Sequence, residues 1–227
     1  MYIDKKNYWL RLPIIDKFLK KIILKNRIKI YRIFEKNSSF DENTKIIDVG
    51  TTPILDEHEN IIFHHYKWTK NITGFSNQDC TILKENLFKS NNFVLGDAKN
   101  IKCKDHAYDV SFCSATIEHV GSYLDQKKLI SELTRISKKY IFITTPNRNF
   151  PIDFHTKLPL IHLLPKKVHR KILYIFGLNY FSKEENLNLL NTNEIKQICE
   201  ELNIKNFEII YNKFFFLNSN IILIIKK

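Results

Sequence analysis

The feature that most limits the fold is a regular alternation of short apolar runs with amphipathic segments between residues 41 and 150. Strands that alternate with helices of this length indicate βαβ units and a parallel sheet. Because crossovers between parallel strands are right-handed, we expect helices on both faces of that sheet. The five strand-like runs are Lys45–Val49, Asn71–Phe75, Phe93–Leu95, Tyr108–Cys113 and Tyr140–Thr144.

The C-terminal part of the chain predicts a different ending for the sheet. A helix is predicted for Asn193–Leu202, with Thr192 as its N-cap. Two strand-like runs follow, Phe207–Leu217 and Asn220–Ile225, and Asn218-Ser219 between them is a hairpin-like connection. We therefore predict an α/β fold whose mostly parallel central sheet ends in an antiparallel C-terminal hairpin.

The length of the chain suits one domain. The 227 residues are 44% hydrophobic, which is enough for a single α/β core, and no repeat or low-complexity linker divides them. We predict one domain over residues 1–227. Its parts are an N-terminal helical segment (1–40), a core (41–150), an insertion (151–190), and a C-terminal helix with strands (191–227).

The net charge of +12 raises the question of an anionic partner. The basic residues are spread along the whole chain instead of forming one stripe, so a nucleic-acid partner is left open but not favoured. No signal-peptide pattern is present, and no apolar run reaches the roughly 18 residues of a membrane span. The sequence predicts a cytoplasmic protein, with peripheral membrane contact through Trp9–Ile33 or Leu158–Leu178 as an alternative.

The first strand carries the clearest motif for a binding site. It ends in Asp48-Val49-Gly50, and ligands of open α/β sheets bind beyond the carboxyl ends of the strands. Gly50 lacks a Cβ and would let the backbone approach a ligand, while Asp48 could accept hydrogen bonds from an amine. The G-x-G-x-x-G fingerprint is absent, which disfavours a dinucleotide.

Later strand ends carry related segments in a fixed order. Gly96-Asp97-Ala98 follows the third strand, Ile117-Glu118-His119-Val120 follows the fourth, and Phe142–Asn147 closes the fifth. Over about residues 40–150 the chain thereby resembles class I methyltransferases that depend on S-adenosylmethionine (SAM). The resemblance implies a Rossmann-like class I methyltransferase fold, SAM as cofactor, and direct methyl transfer from its sulfonium.

The resemblance also implies which residues bind the cofactor, as three groups at three strand ends. One group would line the methionine end of SAM, one would bind its adenine, and one would flank the sulfonium. These groups are Asp48, Gly50 and Thr51; Asp97 and Ala98; and Ser114 and Ala115.

Two positions depart from the family pattern. The loop Thr51-Thr52-Pro53 has fewer glycines than usual, and the second strand lacks the terminal acid that holds the ribose hydroxyls. We expect Ser76 or Asn77 to supply neutral hydrogen bonds there, or Asp79 to reach back. The departures keep open a non-catalytic SAM-fold binding protein.

The acceptor side is predicted after strands four and five. His119 is predicted to be catalytic, as general base or as a positioning group for the acceptor, since an imidazole titrates near neutral pH. Asn147, Arg148 and His155 are predicted to bind the substrate, with the insertion as a lid over the pocket. No metal site is predicted, because the cysteines and the other histidines lack ligand spacing.

The predicted acceptor is a small molecule or a glycan, such as a cell-envelope precursor, methylated on oxygen or nitrogen. The compact length and the absence of an added RNA-binding domain favour this interpretation. An RNA methyltransferase is the alternative enzyme, supported by the charge and by the basic first helix. Oligomeric state is not predicted.

Overall fold

A computed structural model describes residues 13–227, with side chains described from residue 20 onward. Seven strands form one sheet in the order β3-β2-β1-β4-β5-β7-β6. The first five run parallel, and β7 pairs antiparallel with both β5 and β6. The strands are β1 Ile46–Val49, β2 Ile72–Ser76, β3 Asn92–Leu95, β4 Tyr108–Ser114, β5 Ser137–Pro146, β6 Phe207–Phe214 and β7 Leu217–Lys226. The predicted parallel sheet with an antiparallel C-terminal hairpin is confirmed.

Six α-helices accompany the sheet in the described part of the chain. They are α1 Pro13–Lys36, α2 Ile61–His65, α3 Thr81–Asn86, α4 Tyr123–Ile136, α5 Lys166–Ile175 and α6 Thr192–Glu201. Apolar residues of α4 and α6 pack on one face of the sheet, and those of α1 and α2 pack on the other. Helices therefore cover both faces, as predicted.

The alternation of side chains along β1 explains why both faces need cover. Ile46 belongs to the core beneath α1 and α2, and its neighbour Ile47 belongs to the core beneath α4 and α6. Successive residues of a strand point to opposite faces of the sheet. Because helices cover both faces, both residues are buried. A central parallel strand is thus apolar without interruption until Asp48.

Helix α1 is part of this core. Its fully buried Phe34 lies with its ring centroid 4.8 Å from that of Phe112 in β4 and 5.1 Å from that of Phe142 in β5. The earlier part of the predicted helix, including Trp9 and Leu12, lies outside the described residues. Among the described residues no helix is long and apolar enough to cross a membrane. The division of the chain into four parts of one domain stays a prediction.

Two local predictions near the C-terminus are wrong. The N-cap of α6 is Asn191, not Thr192, because the Asn191 side chain accepts the backbone N–H of Glu194 in a capping box. The hairpin turns at Phe215-Phe216, not at Asn218-Ser219. Ser219 is buried inside β7 and donates its hydroxyl to the Asn212 carbonyl, so a hydrogen bond within the sheet overrides its turn preference.

Candidate functional site

The predicted cofactor residues stand at one edge of the sheet. Strand β1 lies between β2 and β4, and β3 lies beyond β2, so four parallel strands end side by side. Asp48 is the next-to-last residue of β1, and Ser76 and Ser114 are the last residues of β2 and β4. Asp97 follows β3 by two residues. This is the edge at which ligands of open α/β sheets bind.

The contact between Gly50 and Thr116 joins the loops after β1 and β4. Gly50 has φ +104°, and a Cβ built there would lie 1.9 Å from the Thr116 hydroxyl oxygen. The Thr116 hydroxyl is 3.3 Å from the Val49 carbonyl oxygen and 3.1 Å from that of Ser114, so it serves as donor to both strand ends. Glycine is thus required at position 50 by packing as well as by backbone conformation.

The Asp48 carboxyl is buried at the end of β1. The Thr51 hydroxyl, 2.9 Å from its Oδ2, serves as hydrogen-bond donor. Burial raises the pKa of Asp48 to about 7, although the Thr51 hydrogen bond and the charge of Arg27 act to lower it. A cationic group placed against this carboxyl would favour its ionised form, which suits the ammonium of an amino acid.

The end of β2 offers neutral groups. The Ser76 hydroxyl is buried and accepts the backbone N–H of Gln78 at 3.1 Å, and Asn77 is exposed beside it. Asp79 does not reach back: its Oδ1 accepts the hydroxyl and the backbone N–H of Thr81 at the start of α3. Those hydrogen bonds lower the pKa of Asp79. Ser76 and Asn77 therefore remain the candidates for the ribose.

The ends of β3 and β4 complete the edge. The Asp97 carboxylate is exposed and accepts the backbone N–H of Lys99 at 2.9 Å, and Ala98 packs partly buried beside it. The Ser114 hydroxyl lies 3.1 Å from that of Thr144 in β5. Ala115 has φ +52°, a conformation that residues with a Cβ rarely adopt and that often marks functional loops.

These donors and acceptors fit SAM. Carboxyl groups at the first and third strand ends match the ammonium and the adenine amino group, and the hydroxyl and amide at the second match ribose hydroxyls. The assignment of each residue to a part of SAM stays a prediction.

Two of the predicted acceptor residues make structural contacts, Asn147 with β7 and Arg148 with the insertion. The Asn147 side-chain amide donates to the Asn218 carbonyl at 2.9 Å. The Arg148 guanidinium donates to the carbonyls of His162 and Leu164 at 3.1 and 2.7 Å. Their predicted role in acceptor binding stays a prediction beside these structural contacts.

The other two predicted residues meet in space. His119 ends a 3₁₀ turn after β4, and its Nε2 lies 3.1 Å from Nε2 of His155 in the insertion. The Nδ1 of His119 lies 2.7 Å from the Asn186 carbonyl, and the Nδ1 of His155 lies 3.1 Å from Oδ1 of Asp153. The insertion thus brings one imidazole over the other at the end of β4.

A buried acid that sequence analysis did not assign lies beneath the two rings. Glu118 is fully buried; its Oε2 accepts the Thr145 hydroxyl at 2.9 Å, and its Oε1 lies 3.9 Å from His119 Nε2 and 3.7 Å from His155 Nε2. The available signal was an acid that lies between the apolar Ile117 and His119. Asp153, likewise buried and unassigned, stood two residues before His155.

The family comparison agrees with the resemblance seen in the sequence. A family described as "Methyltransferase domain" matches residues 63–142. No curated protein matches the chain.

Solved structures share the fold at low sequence identity. A SAM-dependent methyltransferase from Aquifex aeolicus superposes with a TM-score of 0.60 at 12% identity, over 92% of this chain and 96% of that one. A possible histamine N-methyltransferase from Thermotoga maritima gives 0.56 at 12% identity, over 94% and 96%. The Haemonchus contortus phospholethanolamine N-methyltransferase 2 superposes with a TM-score of 0.56 at 15% identity. The match covers 80% of this chain but only 38% of that one, so this chain spans under half of that protein. The Rossmann-like fold is confirmed.

The raised pKa of Asp48 predicts a pH-dependent stability. The folded state holds this proton more tightly than the unfolded chain, so the contribution favours folding at low pH and is lost as pH rises from about 4 to about 7. Asparagine carries no such proton. Between about pH 5 and about pH 8, the free energy of unfolding of Asp48→Asn should therefore rise by about 2–3 kcal/mol relative to wild type.

Urea unfolding at the two pH values measures this difference. Asp79→Asn is the matched control, because the pKa of Asp79 is lowered and no relative rise is expected in this range. An equal response of Asp48→Asn and wild type to pH would contradict the assignment.

Proposed function

Because a methyltransferase-domain family matches residues 63–142 and the fold is that of SAM-dependent methyltransferases, we propose that this chain is a class I SAM-dependent methyltransferase and that it methylates an oxygen or nitrogen of a small-molecule or glycan acceptor, such as a cell-envelope precursor. The observation that carries the proposal is the position of His119. It follows the end of β4 by five residues and lies against His155 of the insertion. An imidazole pair thus stands where the loop after β4 meets the insertion, beside the carboxyl ends of β1 to β4, which we call the cofactor edge.

The residues of the cofactor edge bind and orient. SAM supplies a methyl group that its sulfonium has already activated. Asp48 would bind the ammonium, Asp97 the adenine amino group, and Ser76 or Asn77 the ribose. No nucleophile of the protein is needed for direct transfer, so orientation of the two substrates supplies much of the rate.

His119 is the residue proposed to act on the acceptor. Its Nδ1 donates to the Asn186 carbonyl, so the ring is fixed with Nε2 towards His155. Through Nε2 it would take the proton of a hydroxyl acceptor as general base, or it would position the acceptor. The insertion, residues 151–190, would then be the acceptor-side lid.

A second candidate concerns where the acceptor is found. Large apolar side chains at the end of α5 and at the hairpin tip are between 67% and 93% exposed: Tyr174, Ile175, Phe176, Phe215 and Phe216. Lysines 166, 167 and 171 belong to α5 and precede its exposed apolar end in sequence. Apolar side chains beside basic ones are typical of interfacial contact with anionic lipid. We propose that the protein takes its acceptor at such a surface.

Binding of SAM tests the cofactor residues. We expect Asp48→Ala and Asp97→Ala each to weaken SAM binding by about 1–3 kcal/mol, because each removes a hydrogen bond to a charged group. Isothermal titration calorimetry measures the affinities. Asp105→Ala is the control, since this exposed acid pairs with Arg135 away from the cofactor edge. Wild-type affinity in both edge variants would contradict the placement of SAM.

Turnover tests His119. Screening extracts with labelled SAM identifies an acceptor, and steady-state rates are then compared for His119→Ala and His119→Asn. We expect the alanine variant to lose about 10²–10⁴ in turnover while its SAM affinity is unchanged, as when a positioned base is removed. Activity retained by asparagine would assign positioning, and full activity in the alanine variant would exclude both roles.

Vesicle sedimentation tests the membrane candidate. Wild type should bind vesicles rich in phosphatidylserine more strongly than neutral ones, and the double variant Phe215→Ser/Phe216→Ser should lose most of that binding. Leu95→Ser is the control, because Leu95 is equally apolar and 67% exposed but lies on β3. Binding to RNA with steep salt dependence, and none to vesicles, would favour the RNA methyltransferase alternative instead.

A further inference from the structure

Three potential ligand atoms face one another after β4. They are Oε1 of Glu118, Nε2 of His119 and Nε2 of His155, with separations of 3.1, 3.7 and 3.9 Å. A circle through three points at these separations has a radius of about 2.1 Å, which is the length of a bond from zinc to an imidazole nitrogen or a carboxylate oxygen. One cation at its centre would therefore be at bonding distance from all three.

The charges of the cluster call for a cation there. Glu118 is fully buried, and within the described residues its Oε1 accepts no hydrogen bond. Burial of a carboxylate oxygen without a compensating partner is costly. In their neutral forms the two imidazoles would also point lone pairs at each other across 3.1 Å, which is unfavourable without a positive charge between them.

Both rings are already held in the tautomer of a metal ligand. The Asn186 carbonyl can only accept, so Nδ1 of His119 carries the hydrogen, and the Asp153 carboxylate fixes Nδ1 of His155 in the same way. A carbonyl or carboxylate behind each ligating imidazole is the usual outer shell of a protein metal site. His119 remains 34% exposed, so solvent and ligands reach the site.

We infer that Glu118, His119 and His155 bind one divalent transition-metal ion. Two imidazoles with one carboxylate favour zinc, iron or cobalt over magnesium or calcium, which prefer oxygen ligands. Three protein ligands leave coordination positions open. Resting on the proposed function, the ion deepens it and selects between the two roles of His119: with Nε2 bound to the ion, His119 positions the acceptor through the ion and does not act as a base. An oxygen of the acceptor occupies an open position, so the acceptor carries a hydroxyl or a comparable oxygen ligand.

Direct metal binding tests the inference without any methyl transfer. The full chain, stripped with EDTA, is titrated with Zn²⁺ by calorimetry and with Co²⁺ by visible absorption, with Mg²⁺ for comparison. We expect one Zn²⁺ per chain, a tetrahedral or five-coordinate Co²⁺ spectrum, and little response to Mg²⁺. Glu118→Gln and His155→Ala should each weaken Zn²⁺ binding by at least about 10–100-fold.

The control is His106→Ala, whose imidazole contacts the Ser137 carbonyl at the opposite end of the sheet. It should bind Zn²⁺ like wild type, and circular dichroism verifies that each variant is folded. The absence of stoichiometric binding, or equal affinity in Glu118→Gln and wild type, overturns the inference and assigns the positive charge to an imidazolium. Intact Zn²⁺ binding without methyl transfer would count against the proposed function alone.

Discussion

The loops that follow β1 and β4 depend on the contact between Thr116 and Gly50. The threonine side chain occupies the space that a Cβ at position 50 would need, and its hydroxyl serves the carbonyls at the ends of β1 and β4. The chain therefore leaves β4 along a fixed path. Ala115 follows in its left-handed conformation, and the 3₁₀ turn Ile117–His119 comes next. The backbone position of His119 is therefore set by the loop after β4 and not by the insertion.

The fold was largely predictable because the strands of a parallel sheet are buried on both faces and read as apolar runs. The ends of β1 and β3 were predictable from a change of residue type: Asp48 and Gly96 interrupt the two apolar runs. The hairpin turn was not, because Asn218-Ser219 has turn chemistry in isolation. Only the folded neighbours, Asn212 and Asn147, show that these residues form hydrogen bonds inside a strand pair.

The sequence singled out His119 and His155 one by one, but it did not predict that they form a cluster with Glu118. His119 and His155 are 36 residues apart and lie on different elements, so no spacing rule joins them. Glu118 resembles any surface acid until its full burial is seen. Arg148 was predicted to bind the substrate, and the structure adds a role that its sequence position did not indicate, because its guanidinium donates to two main-chain carbonyls. Contacts between distant segments decide such roles, and sequence patterns report neighbours only.

The base of the insertion is closed by a backbone hydrogen bond. The Arg148 N–H donates to the Leu190 carbonyl, and the neighbouring Asn147 N–H is tied to the Ser219 carbonyl of β7, so residues 149–189 leave and return beside the same edge of the sheet. A doubling of the length of such a loop costs only about 0.6 kcal/mol in closure entropy. A change of length at an exposed position of this loop therefore costs little, whereas the buried Asn188, hydrogen-bonded to Gln126 and Gly121, has to keep its place. Under the proposed function, the acceptor range can diverge by changes in the exposed part of this loop, while the transferred group stays the same.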